Sequence, residues 1–345
     1  MADTSIFIAT DLNVPNKPSS PRVYVIILNW NSPQMTAECL RSLKGTSGIG
    51  FRTVVVDNGS RDSSAEFLRA AFPEAAVIAN GRNLGFAGGC NVGIRLALAA
   101  GAEFILLVNN DTILDPCLLQ ELVAHADAHP EAGILSPKIY YAAPSNALWW
   151  AGGTFNIWTG HADHIDRQKT DIGAHDLPRD LDWATGCVML IRCDALRKTE
   201  LLDEQIFAIG EDVDLSLRIR DAGYSVRYVP TARLWHREGV ETRRNVGQHV
   251  RAFLMVRNHL WVMHKHARIY HWLTFWPFFF LYYLPKMMLL SLFRGDARSC
   301  KSMLQAVLAF WKMLRSPGIS VLPPELRVST LQDGCAREAM PPGLA

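Results

Sequence analysis

Residues Glu211, Asp212 and Asp214 place three carboxylates at the apparent start of a helix, directly after Phe207-Ala208-Ile209-Gly210. Acidic groups there are favoured by the positive end of the helix dipole, which also helps to keep them ionised. Helical spacing sorts them. Glu211, Asp214 and Arg218 fall on one stripe at i, i+3, i+7, and Asp214 can pair with Arg218 at i, i+4. Asp212 has no such local partner, which makes it the carboxylate free to take a proton in general-base chemistry.

Further polar residues cluster at the ends of apolar runs. Residues 23–28, 53–56, 76–79 and 104–108 each have the length and composition of a buried strand. They end respectively in Asn29-Trp30-Asn31, Asp57-Asn58-Gly59-Ser60, Asn80-Gly81-Arg82-Asn83 and Asn109-Asn110-Asp111. Helical patterns fill the intervals, after residue 33 and over 64–72, 91–100 and 116–129. Alternating strands and helices imply a mostly parallel, Rossmann-like α/β sheet with helices on both faces. The ligand crevice of such a sheet lies beyond the carboxyl ends of its strands, where all four clusters fall.

Each cluster has two readings. Asp57 either accepts from a nucleobase or ribose, or closes an Asx turn with Asn58-Gly59. Asp111 is a candidate ligand for a hard divalent cation bridging two phosphates, or an N-cap for the helix after Asp115-Pro116. The stretch Asn83-Leu84-Gly85-Phe86-Ala87-Gly88-Gly89 either lets backbone amides approach a phosphate at a helix start or is a tight turn, and it lacks the GxGxxG spacing of dinucleotide folds. His236 can add a nitrogen ligand or touch phosphate, or simply pack.

The 345 residues, 49% hydrophobic and 20% charged, suffice for at least one full core, with length suggesting one to three domains. A net charge of +2 gives no reason to expect nucleic acid as the partner. The seven cysteines are scattered singly, which reads as reduced thiols in a cytosol. Residues 1–21 are polar and proline-punctuated and read as a mobile leader without a secretory signal. Residues 132–237 hold shorter strand candidates that extend the sheet and close the crevice.

The segment 272–293 is aromatic and apolar but interrupted by Pro277, Pro285 and Lys286. Lys265, His266 and Arg268 precede it, and Arg294, Arg298 and Lys301 follow. Positive charge on both flanks fits a segment dipping into a cytoplasmic leaflet better than one crossing it. Residues 303–314 fit an amphipathic helix on the same surface. A buried helical core or a dimer interface is the alternative.

In this order, Asn29-Trp30-Asn31, Val56-Asp57-Asn58-Gly59-Ser60, Asn83 to Gly89, Asn109-Asn110-Asp111, Gly186, Glu211-Asp212-Val213-Asp214, Arg218 and His236 resemble a family 2 glycosyltransferase of the GT-A fold, most closely its rhamnosyltransferase-like group. The resemblance runs from about Arg22 to Arg257. It implies a GT-A catalytic domain over 22–240, followed by a helical, membrane-associated region over 241–320 and a tail over 321–345. Asn29, Asn31, Asp57, Asn58, Asn83, Gly85, Gly88 and Asn110 would surround the nucleotide. Asp111, the remaining acidic member of the family's DxD motif, and His236 would hold Mg²⁺ or Mn²⁺ at the diphosphate. Trp183, Gly186 and Glu211 would line the donor and acceptor pocket, and Asp212 would be the base.

The implied reaction is inverting transfer of rhamnose or another hexose from a nucleoside-diphosphate sugar to a lipid-linked or polysaccharide acceptor in cell-envelope glycan synthesis. It would take place at the cytoplasmic face of the inner membrane, with the enzyme bound peripherally or monotopically. A non-catalytic sugar-nucleotide-binding module and a sugar nucleotidyltransferase are the competing readings. Asp212 argues against the first, because helix packing does not require it. The missing lysine- and arginine-bearing glycine loop near the amino terminus argues against the second.

Overall fold

The computed structural model describes residues 21–46, 48–237, 247–316, 321–323 and 326. The expected leader over 1–21 and tail over 321–345 therefore lie almost wholly outside the described residues. The amino-terminal half runs β1 (Val23–Asn29), α1 (Pro33–Lys44), β2 (Phe51–Asp57), α2 (Ser64–Ala71), β3 (Ala76–Ala79), α3 (Gly85–Ala99) and β4 (Phe104–Asn109). Strands β3, β2, β1 and β4 lie side by side, all parallel. Chain order leaves β1 toward β2 on one side and toward β4 on the other. The crevice of a parallel sheet opens at such a switch point, here beyond Asn29 and Asn109.

The strands carry little but Val, Ile and Leu because helices cover both faces; Val25, Ile27, Val54, Val55, Ile105 and Leu106 are wholly buried. Helix α3 starts at Gly85, six residues before the apolar pattern suggested. Gly88 and Gly89 are thus helical, not part of a loop. They permit close packing: a Cβ on Gly89 would stand 2.5 Å from Leu28 Cδ1, and one on Gly88 3.0 Å from Leu84 Cβ.

The second half continues the same sheet through β5 (Thr112–Leu114), α4 (Leu118–Ala128), β6 (Ala132–Tyr141), β7 (Leu148–Trp150), β8 (Gly153–Asn156), β9 (His161–His164), β10 (Arg179–Asp180), β11 (Val188–Arg192), α5 (Cys193–Thr199), α6 (Glu211–Asp221) and β12 (Ser225–His236). Strand β11 enters antiparallel between β4 and β6, with Val188 opposite Val108. That reversal brings its amino-terminal end, Gly186-Cys187, beside the carboxyl end of β4, where the Asn109 amide donates to the Cys187 carbonyl at 2.8 Å. Strand β12 runs parallel to β6 and pairs antiparallel with β5, so that His236 lies opposite Thr112. Strands β8 and β9 form a separate hairpin.

A helical unit follows: α7 (Gln248–His266), a short 3₁₀ turn, α8 (Trp272–Phe278), a π turn over Phe279–Tyr283, α9 (Leu284–Phe293) and α10 (Ala297–Arg315). Ile269–Phe293 is a continuous helical stretch of 25 residues with mean hydropathy 1.3, long and apolar enough to cross a membrane. The two prolines therefore do not break it. The widened turn lies between them, as expected where Pro285 withholds the amide that would bond four residues back. Only 17% of its most apolar window is buried among the described residues, so it is not a core helix of the described fold. Leu273, Leu281 and Phe293 are 77%, 81% and 86% exposed.

Candidate active site

Beyond the strand ends lies a cavity of about 610 Å³. The β4 end contributes Asn109 and Asp111, the β11 end contributes Trp183 and Gly186, α6 contributes Glu211 and Asp212, and β12 contributes His236. Asn58, Asn83 and Gly85 enter from the β2 and β3 ends. Asn29, Asn31, Asp57, Gly88 and Asn110 do not line it.

The residues outside the wall brace those within it. Asn29 Nδ2 donates to Asp57 Oδ2 at 2.7 Å, the Ser60 amide donates to Asp57 Oδ1 at 3.0 Å, and Thr36 Oγ1 donates to Asn29 Oδ1 at 2.7 Å. Both oxygens of Asp57 are thus engaged inside the protein, in the turn-closing arrangement. Asn110 Nδ2 donates to Thr36 Oγ1, and Asn31, left-handed at φ 54°, accepts from the Arg61 amide. Asn58 is the hub of the loops: its Nδ2 donates to Asn83 Oδ1 and the Gly85 carbonyl, each at 3.0 Å, while its Oδ1 accepts from the Leu84 amide. Gly85 needs its φ of +77°, and a Cβ there would stand 2.5 Å from the Phe207 carbonyl oxygen.

Asp212 Oδ2 accepts from the Gly186 amide at 2.9 Å, and Oδ1 accepts from its neighbour Val213 at 2.8 Å. Burial raises its proton affinity, and these amides partly counter that by favouring the charged form. Glu211 is also raised, first by burial and then by the Asp212 charge, and its Oε2 has no hydrogen-bond partner among the described residues. Backbone amides favour the charged form of both, but Glu211 also meets the Asp212 charge, so Asp212 is the member that ionises first and Glu211 the member that keeps its proton longer. Asp214 behaves as the spacing implied. It is fully buried, with Arg218 at 2.9 Å, Lys265 at 2.7 Å and His266 at 2.9 Å.

In the same cavity, His236 Nε2 lies 3.0 Å from Asp111 Oδ1. The Arg237 amide donates to the Asp111 carbonyl, which locks this register. Neither Asp111 Oδ1 nor either ring nitrogen has a hydrogen bond of acceptable geometry among the described residues. Asp111 does not cap the helix that follows, which has no side-chain cap; Asp115 accepts from the Cys117 amide at 2.8 Å in the turn before it. Two orphaned donors of oxygen and nitrogen type, about 3 Å apart, have the spacing of adjacent positions on an octahedral divalent ion. Among the described residues no cluster of three or more His, Cys, Asp or Glu could hold a metal. The pair fits a cation that takes its remaining ligands from diphosphate and water.

Several wall residues had escaped the sequence reading. Trp149 sets its ring 4.4 Å from that of His236, and its buried Nε1 has no hydrogen-bond partner among the described residues. The Arg167 guanidinium lies 5.6 Å over the Trp149 ring. From α7 come Leu254, Asn258 and His259. His259 donates toward the Thr159 carbonyl at 3.0 Å, and burial lowers its pKa to about 4, so it is neutral. The only local signal was the tryptophan pair 149–150; nothing in sequence brings α7 to the crevice.

The chain is 26% identical over 254 residues to an N-acetylglucosaminyl-diphospho-decaprenol L-rhamnosyltransferase of Mycobacterium tuberculosis, covering 66% of this chain and 80% of that protein. It is 28% identical over 204 residues to the galactofuranosyltransferase GlfT1 of Mycobacterium tuberculosis, covering 58% of this chain and 65% of that relative. A solved structure of GalNAc-T7 with UDP, GalNAc and Mn²⁺ superposes with a TM-score of 0.58 at 16% identity, over 89% of this chain and 59% of that one, which shows the shared GT-A fold. The model of glycosyltransferase-like family 2 matches residues 21–254, about two thirds of the sequence. The chain belongs to that family and is a glycosyltransferase.

Proposed function

We propose that the protein is an inverting glycosyltransferase that moves rhamnose or another hexose from a nucleoside-diphosphate sugar to a lipid-linked or polysaccharide acceptor in cell-envelope glycan synthesis. The observation that carries this is the shared cavity: the Glu211–Asp212 pair and the Asp111–His236 pair line one space of about 610 Å³. Asp212 takes the proton of the incoming acceptor hydroxyl as that oxygen attacks the anomeric carbon. Glu211, neutral, hydrogen-bonds beside the same hydroxyl, and Trp183 with Gly186 bounds the sugar. The transition state is oxocarbenium-like, by analogy with glycoside hydrolysis, and negative charge grows on the departing diphosphate. Asp111 and His236 would hold Mg²⁺ or Mn²⁺ there; bound, that ion neutralises the leaving group. Asn58, Asn83 and Gly85 shape the nucleotide side.

Of the expected units, the described residues of 22–237 form the catalytic domain and the helical region 247–316 lies on the membrane; 238–246 and 317–320 fall outside the described residues. The apolar faces of α8 to α10, with Arg268 on one flank and Arg294, Arg298 and Lys301 on the other, support docking to an anionic cytoplasmic leaflet of the inner membrane. The decaprenol diphosphate in the name of the mycobacterial relative supports a lipid-linked acceptor.

The test is a screen of UDP- and dTDP-sugars for acceptor-dependent release of nucleoside diphosphate. Release of pyrophosphate from a nucleoside triphosphate and a sugar phosphate would replace this reading with nucleotidyl transfer.

A further inference from the structure

The stretch that launches α6 is held in a conformation its residues do not favour. Phe207, Ile209 and Gly210 all have positive φ, at 66°, 71° and 100°. Aromatic and β-branched residues persist there only where the surroundings over-determine them. The surroundings are two consecutive residues of α7. Asn258 Nδ2 donates to the carbonyls of Ile206, Ala208 and Ile209 at 3.1, 2.7 and 2.7 Å. Arg257, wholly buried, donates through Nη2 to the carbonyls of Gln205 and Ile206 at 3.0 and 2.6 Å. Its Nε donates to Asn258 Oδ1 at 2.8 Å, which fixes the amide with its NH₂ toward the loop.

A second grip acts from the same helix, because Lys265 and His266 hold Asp214, two residues after Asp212. The loop in turn touches the donor side, where the Ala87 amide donates to the Phe207 carbonyl at 3.1 Å. Asn258 borders the cavity, yet its amide is committed on both sides to protein partners, so its work is done through the loop. Arg257, Asn258, Lys265 and His266 all lie beyond residue 254, where the family match ends.

We infer that Asn258, braced by Arg257, is a positioning residue for the transfer step: α7 sets the aim of Asp212 by gripping loop 205–210 and Asp214. Nucleotide binding also draws on Asn58 and Asn83, whose bonds run to their own loops and not to 205–210, so it should suffer less than turnover. The inference rests on Asp212 being the base. A misplacement of about 1 Å at a reacting group can cost about 100-fold in rate.

The test uses full-length Asn258→Leu, which keeps similar bulk without donors, and Asn258→Asp, which keeps the shape but turns an acceptor toward three carbonyls. Turnover should fall at least tenfold in both, while affinity for UDP and dTDP stays within about twofold of wild type. Backbone amide exchange should accelerate in 205–214. Unchanged exchange with turnover within twofold overturns the proposal, and so does nucleotide affinity falling in step with turnover, which marks general loss of structure. Should neither variant fold, Lys265→Met at the second grip is read by the same criteria. Full turnover in Asp212→Asn would remove the base assignment separately, because the exchange measurement judges the grip alone.

Discussion

Replacing Asp212 by Asn separates catalysis from binding. The carboxylate contacts the backbone amides of Gly186 and Val213 and lines the same cavity as Asp111 and His236. Asparagine keeps one oxygen for one of those amides, so the structural loss is one hydrogen bond, about 1 kcal/mol. The chemical loss is larger. A positioned general base contributes roughly 10²–10⁴-fold, or about 3–5 kcal/mol of barrier at 1.36 kcal/mol per factor of ten. Acceptor-dependent release of nucleoside diphosphate, measured at saturating donor, should therefore drop by that factor while nucleotide affinity by calorimetry holds. Glu211→Gln is the control. Glutamine imitates the neutral acid, so turnover should stay within about tenfold of wild type.

The pH profile has a definite sign. Asp212 works deprotonated, and burial raises its pKa, so activity is lost as pH falls through a value above the ordinary carboxylate figure of about 4; it declines again as pH rises past about 8, where Glu211 loses the proton it holds. Asp212→Asn within tenfold of wild type, or an inactive Glu211→Gln beside an active Asp212→Asn, would refute the division of roles.

Burial alone would raise the pKa of Asp214, but the hydrogen bond from His266 and the charges of Arg218 and Lys265 outweigh it and hold this carboxylate well below its usual value. Its contribution to stability is present above about pH 4 and is lost as pH falls toward the folded-state pKa. Asp214→Asn should cost about 3 kcal/mol in denaturant melts at pH 7, and the gap to wild type should narrow below pH 4; equal stability at pH 7 would contradict the ion cluster. His236→Ala and Asp111→Asn should each weaken Mn²⁺ binding in the presence of UDP at least tenfold by electron paramagnetic resonance; undiminished binding removes the metal assignment. Leu281→Glu with Phe293→Glu should reduce sedimentation with anionic vesicles more than tenfold, since each buried apolar side chain contributes about 1.5–3 kcal/mol; vesicle-indifferent wild-type protein would refute membrane docking.

What could be read from sequence was local. Alternating apolar runs located β1 to β4 within one or two residues, because burial on both faces of a parallel sheet demands continuous Val, Ile and Leu. Acidic crowding at a helix start located α6, and i, i+4 spacing paired Asp214 with Arg218. The glycines at 88 and 89 fall in the first turns of α3 rather than in a loop, and the 2.5 Å approach of Leu28 adds a packing reason for small residues there. Asp57 was ambiguous in sequence, and the structure adds its bonds to Asn29 and Ser60, which need tertiary and turn geometry to form.

The sequence by itself determined the period of each element, the polar residues at the strand ends and the carboxylates available for chemistry, because these follow from neighbours a few positions apart. Only the tertiary structure decided which of them meet. The antiparallel entry of β11 carries Gly186 to Asp212, the pairing of β12 with β5 sets His236 against Asp111, and α7 reaches back over about 50 residues to hold loop 205–210. Such meetings depend on strand order, register and docking between segments far apart in the chain, and those are settled by burial of the whole core rather than by any local pattern.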